Sequence, residues 1–212
     1  MVLQIIRGIR KATSKEFCIG IKMNSVDAAT SESVSDVMEQ IKLIAECGID
    51  FIEISGGTYE NPRMMAELAS AANPTAKVNA EQKTSQRESF FLEFSKAVRE
   101  SFPDLLLMVT GGFRTRTGME AALNSGACDL IGVGRPAAVL PRLPKEIILN
   151  TKEVPDEEAQ VALAPLRVPF YLRYVPVKQL GAGYQTQYYT SQIQRIARGL
   201  APVDTRLRSS NL

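Results

Sequence analysis

At 212 residues, with 45% hydrophobic and 23% charged side chains, the chain has the composition of one soluble globular domain or a piece of a larger one. A formal net charge of +2 gives no electrostatic reason to expect a nucleic-acid or membrane partner, and no apolar run reaches the roughly eighteen residues that a bilayer span needs. Histidine is absent, which removes the commonest general base and the commonest metal ligand, so any proton chemistry needs another group; no metal site and no catalytic residue is assigned.

In chain order, the apolar start of MVLQIIRGIRKATSKEF is followed by basic residues rather than preceded by them, and no small-residue cleavage site is present. It does not read as a signal peptide; IIRGIRKATSK reads as the end of a helix. FCIGIKM, Phe17 to Met23, is a short apolar run ending in a cation and is expected to be a strand. The segment VSDVMEQIKLIAECG has apolar residues at Val34, Val37, Met38, Ile41, Ile44 and Ala45, which is helical spacing, with Ser33 or Ser35 as N-cap and Gly48 as the stop. IDFIEIS, Ile49 to Ser55, is the second strand, and a polar connection from Gly56 to about Gln86 follows it. ESFFLEFSKAVRESFP is a helix halted by Pro103, LLLMVTGG the third strand, TRTGMEAALNSG a helix closed by Gly126, and CDLIGVGRP the fourth strand with its turn. Beyond Pro136 the chain reads as irregular, through a loop from Tyr171 to Tyr189 to a last helix, SQIQRIARGL.

Alternating strands and helices with near-continuous apolar strands predict an α/β fold with a parallel sheet covered by helices. An open doubly wound sheet and a closed barrel both fit. The barrel is favoured because polar and glycine residues sit at all four strand ends: Lys22 and Asn24, Ser55 to Gly57, Gly111 and Gly112, Gly134 and Arg135. Eight βα units need about 250 residues, and only four strands are visible, so half a barrel is expected. The expected division is residues 1–150 as half barrel and 151–212 as an irregular extension with a closing helix.

VTGGFRTR and IGVGRP carry the best site signal. A phosphate monoester needs several N–H donors aimed at one point and a cation nearby, and glycines let the backbone approach. Gly111, Gly112, Gly134 and Arg135 supply those parts. The alternative is that the glycines only make tight turns and Arg135 is a surface cation. Lys22 is expected at the strand end, where it could stabilise negative charge on a bound ring system or simply lie in solvent. Glu53 is expected to have a structural partner. Arg114 and Arg116 follow the double glycine at a helix start; one of them could reach the phosphate, or both could simply be solvated. Cys18, Cys47 and Cys128 have no metal-ligand spacing and read as small buried side chains in a reducing, cytoplasmic setting. Tyr171, Tyr174, Tyr184, Tyr188 and Tyr189 read as packing for the last helix or as a lid.

IGIKMNS, GIDFIEISGGTYE, the LEFSKAVR helix and VTGGFRTRTGMEAALNSGACDLIGVGRP, in this order and spacing, resemble the old yellow enzyme family of FMN-dependent NAD(P)H:flavin oxidoreductases, especially its fungal members. The resemblance covers about Val2 to about Lys145 and implies strands five to eight of that family's (β/α)8 TIM barrel. It also implies that Lys22 contacts the pyrimidine end of FMN and that Gly111, Gly112, Gly134 and Arg135 bind its phosphate. NAD(P)H would be the reductant, and the substrate an enone or another activated alkene. The family's His/His or His/Asn pair, which grips the substrate carbonyl, comes from strands one to four and has no counterpart here. Three outcomes are left: a flavin oxidoreductase by descent, either working with a separate N-terminal half or truncated; a non-catalytic phosphate- or partner-binding remnant that pairs with a second copy; or an enzyme of another barrel family that binds a phosphorylated substrate at the same pocket.

Overall fold

Four parallel strands form one sheet in the order β1-β2-β3-β4, with β1 at Gly20–Asn24, β2 at Phe51–Ser55, β3 at Leu106–Thr110 and β4 at Leu130–Gly132. This computed structural model describes residues 1–24, 34–55, 94–161, 163 and 178–203. Those residues fall into two compact units. Residues 1–24, 34–55, 94–112 and 120–132 make the first; residues 113–119, 133–161, 163 and 178–203 make the second.

In the first unit each strand is preceded by a helix: α1 at Val2–Ala12, α2 at Val34–Ala45, α3 over residues 94–101, and α4 at Arg116–Asn124, whose first turn belongs to the second unit. The chain is therefore α/β with a parallel sheet, consistent with part of a (β/α)8 barrel. The elements fall where the apolar periodicity places them. Ser33, one of the two N-cap candidates, and the connection from Gly56 to Gln86 lie outside the described residues.

The two faces of the sheet differ. Ile52, Ile54, Leu107 and Val109 are buried, as are Val37, Ile41 and Ile44 of α2 and Val98 of α3, which marks the helix-packed side. Strand alternation sends Phe51, Glu53, Leu106, Met108 and Leu130 to the other side. There Leu106 and Leu130 remain 47% and 42% exposed.

Within this unit the same latch occurs twice. Arg10 of α1 donates from Nη1 to the Phe17 carbonyl (2.8 Å) and from Nη2 to Asp50 Oδ2 (2.7 Å). That carboxylate also accepts from the Ile19 amide (2.6 Å), while the Asp50 amide donates back to the Ile19 carbonyl (2.8 Å). Arg99 of α3 donates in the same way to the Leu105 carbonyl and to Asp129 Oδ2; Asp129 accepts from the Leu107 amide and donates back to the Leu107 carbonyl. Each aspartate follows a helix closed by a left-handed glycine, Gly48 (φ 80°) or Gly126 (φ 72°). Registers agree too: Gly20 faces Phe51 as Met108 faces Leu130. The unit is thus two copies of one α-β-α-β module.

The Ile19 amide, with the Arg10 guanidinium second, holds the Asp50 carboxyl below its ordinary value of 3.8, against a smaller opposing effect of burial. A depressed carboxyl pKa stabilises the fold above the unfolded value and ceases to do so as pH falls through the folded one. Asp50→Asn should therefore lower stability at neutral pH, with the deficit against wild type shrinking as pH drops below 3.8. Urea titrations from pH 7 downward check this; a deficit independent of pH would contradict it.

Cys47 and Cys128 are buried, and burial with the Asp129 charge beside it pushes the Cys128 thiol up to about 11. Cys18 is exposed, against expectation, because it precedes β1 outside the packed face.

In the second unit, the segment after Gly134 is more regular than its prolines suggest. Arg135–Val139 forms α5 and Pro144–Ile148 a π-helical turn. Both prolines lie in a first turn, where a missing N–H costs nothing, and the carbonyls of Pro136 and Pro144 accept from Leu140 and Leu149 (both 2.7 Å). The last helix, α6, runs Lys178–Ala197 and so takes in the stretch from 178 to 189 that composition assigns to a loop. Its glycines lower helix propensity, but Tyr189 packs on Ala138 and Val139 of α5, and Tyr188 stacks edge-on against Tyr189 at 5.3 Å. These two tyrosines are packing residues. Tyr171, Tyr174 and the Tyr184 side chain lie outside the described residues.

Candidate functional site

Because all four strands are parallel, their C-terminal ends share one edge of the sheet, and β3 and β4 end side by side with Thr110 opposite Gly132. Gly111 and Gly112 follow Thr110 directly, with φ of 153° and 77°. At Gly112 a Cβ would cost about 1–2 kcal/mol, so the turn that lifts the chain off β3 depends on glycine. Gly134 and Arg135 lie two and three residues beyond the end of β4 and belong to the second unit, where Gly134 caps α5 and accepts at its carbonyl from the Ala137 amide (3.0 Å). A Cβ added at Gly134 would meet nothing within 4 Å, so packing by the chain does not explain that glycine.

Thr110 is a candidate that sequence reasoning missed. Its Oγ1 is buried and has no hydrogen-bond partner among the described residues. A buried hydroxyl left unpaired costs about 1–3 kcal/mol, and this one sits beside the glycine turn. An orphaned polar atom beside a turn that only glycine makes readily is a feature that a phosphate-bearing ligand would use.

Lys22 is not at a strand end. It is the third of five residues in β1, one layer below the edge, and its Nζ donates to Glu53 Oε1 at 2.5 Å. Glu53 thus has the structural partner expected of it. The lysine side chain is 56% exposed and the glutamate 21%, so the pair contributes about 1 kcal/mol at most.

The two arginines after the double glycine have separate fates. Arg116 is buried and engaged by the second unit: Nε donates to the Ile148 carbonyl (2.6 Å), Nη2 to Ile147 (2.8 Å), and Nη1 to Val154 (2.9 Å) and Asp156 Oδ1 (2.6 Å). It is committed to carbonyls and unavailable to a phosphate. Arg114 donates to the Phe113 carbonyl (3.0 Å), and its own carbonyl accepts from Val161 (2.8 Å). Among the described residues, no group of three or more acidic, cysteine or histidine side chains is placed to hold a metal, and no helix is long and apolar enough to cross a membrane.

These features define a parallel α/β protein whose candidate ligand edge is the glycine-rich end of β3 and β4. No protein-family profile matches the chain. It is 38% identical over 179 residues to NADH-dependent flavin oxidoreductase iliE of Hypocrea jecorina (strain QM6a), a match covering 84% of this chain and 43% of that protein. Identity is 34% over 199 residues to iccE of Talaromyces variabilis, which bears the same description, over 93% of this chain and 46% of the relative. It is 34% over 201 residues to iliE of Neonectria sp. (strain DH2), over 89% of this chain and 25% of the relative. The chain is a homologue of the NADH-dependent flavin oxidoreductases, and it spans less than half the length of these relatives.

Proposed function

We propose that this chain is the FMN-phosphate-binding part of a flavin oxidoreductase, corresponding to strands five to eight of an old yellow enzyme barrel. The observation that carries the reading is the end of β3: a glycine turn at Gly111 and Gly112 beside the buried Thr110 hydroxyl, which has no partner among the described residues. The relatives' names support a flavin and favour NADH as the reductant.

In this reading the backbone N–H groups at Gly111, Gly112 and Gly134 and the Arg135 guanidinium hold the FMN phosphate. Lys22, oriented by Glu53, offers a cation to the pyrimidine end of the ring system. Bound FMN supplies the hydride relay between NAD(P)H and a small activated alkene or enone. The chain has no histidine, so it lacks the imidazole grip on a substrate carbonyl, and one such donor is worth about 2.7–4 kcal/mol in comparable sites. Its contribution is therefore to bind and orient, and alkene reduction requires donors from outside the chain.

Purified chain mixed with FMN and passed over a gel-filtration column should keep a visible flavin band, and Arg135→Ala should lose it. Equal retention by the variant would remove Arg135 from the site. No retention by folded wild-type protein would remove the site itself.

A further inference from the structure

We propose that two copies of this chain associate about a two-fold axis along the strands, β4 of each pairing with β1 of the other, to close an eight-stranded parallel barrel. The inference stands on the first unit alone and requires no cofactor.

Its basis is the repeated module. Taking the Arg10–Asp50 and Arg99–Asp129 latches as equivalent makes β1 the counterpart of β3 and β2 the counterpart of β4. The junction between the modules is the parallel pairing of β2 with β3. Its counterpart would be a pairing of β4 with β1, and among the described residues neither strand has a partner on that side. A single chain cannot make this pairing: β1 and β4 are opposite edges of the sheet, about 14 Å apart at the usual strand spacing. A second copy can, and a two-fold axis keeps all eight strands parallel while making both junctions alike.

Side-chain burial marks the same missing neighbour. The equivalence that matches Arg10 to Arg99 also matches Ile5 to Phe94 and Ile9 to Val98. Phe94 and Val98 are 9% and 0% exposed, because α3 lies inside the array of modules. Ile5 and Ile9 are 52% and 37% exposed on α1, at its edge. Two helix positions are thus apolar in both modules and covered in only one. The open sheet face, with Leu106 and Leu130 exposed, would become the interior of the closed ring.

The junction fixes a register. As Phe51 faces Leu106 between β2 and β3, Leu130 of one copy should face Cys18 of the other. Light scattering on the eluted wild-type chain should give the mass of two 23.3 kDa chains, and Ile5→Glu with Ile9→Glu should give one, with an unchanged circular dichroism spectrum. Leu130→Cys, treated with oxidised glutathione as electron acceptor, should form an intermolecular disulfide to Cys18, read by peptide mass spectrometry and lost in Leu130→Cys with Cys18→Ser. A single-chain mass at all concentrations would overturn the proposal, leaving the edges to some other partner. So would open-ended oligomers, or a two-chain particle that the α1 variant leaves intact. If the α1 variant unfolds, the disulfide decides: its absence overturns the proposal.

Discussion

Arg116→Met should destabilise the protein by about 3–5 kcal/mol, because a buried acceptor left without its donor costs about 1–3 kcal/mol and this guanidinium serves the carbonyls of Ile147, Ile148 and Val154. Methionine keeps most of the apolar volume, so the loss isolates the hydrogen bonds. Without the guanidinium, the carbonyls of Ile147, Ile148 and Val154 lose their donor at a site that is 2% exposed at Arg116. For a chain of this size each kcal/mol moves the melting temperature by about 2–4 °C, so a drop of roughly 10 °C is expected. Asp156→Ala is the contrast. Its side chain is 57% exposed, so it should cost about 1 kcal/mol or less. If the two variants melt alike, the ion pair rather than the carbonyl cage holds residues 147–156 to the start of α4.

Gly132→Ala should cost about 1–3 kcal/mol through overpacking. Its Cβ would lie 1.7 Å from Thr110 Oγ1 and 2.8 Å from Thr110 Cβ on the neighbouring strand. Rescue should follow the atoms removed: Thr110→Ala leaves the 2.8 Å contact and restores part of the stability, while Thr110→Gly restores more. Gly20→Ala meets the Phe51 ring first, at 2.2–2.7 Å. That ring lies on the open face and can turn aside, so this variant should be the milder. Urea midpoints for the set give the order, and a neutral Gly132→Ala would contradict the close approach of Thr110 to β4.

Much of the fold was legible because periodicity and punctuation agree. Val37, Ile41 and Ile44 mark one helical face, and Gly48 and Gly126 stop their helices where sequence reading places the stops. The double glycine after β3 was legible for the same reason, since few residues tolerate its backbone angles. The repeat was not, because a handful of positions carries it: Arg10 with Arg99, Gly48 with Gly126 and Asp50 with Asp129, joined by hydrogen bonds that spacing does not reveal. Arg116 looked like Arg114 in sequence, and only its burial separates them. Pro136 and Pro144 look like breaks but start helical turns, a position proline tolerates. Thr110 gave no signal at all, because an unpaired hydroxyl becomes visible only when its surroundings are known.

The glycine-rich strand ends and Arg135 are proposed to hold a flavin through its phosphate. Titration of flavin fluorescence with this chain, using FMN and riboflavin in parallel, isolates that group. Hydrogen bonds to a charged group are worth about 1.5–3 kcal/mol, so FMN should bind at least about tenfold more tightly than riboflavin. Arg135→Ala should reduce that preference while leaving riboflavin affinity unchanged. Equal affinity of the wild-type chain for both flavins would contradict the claim.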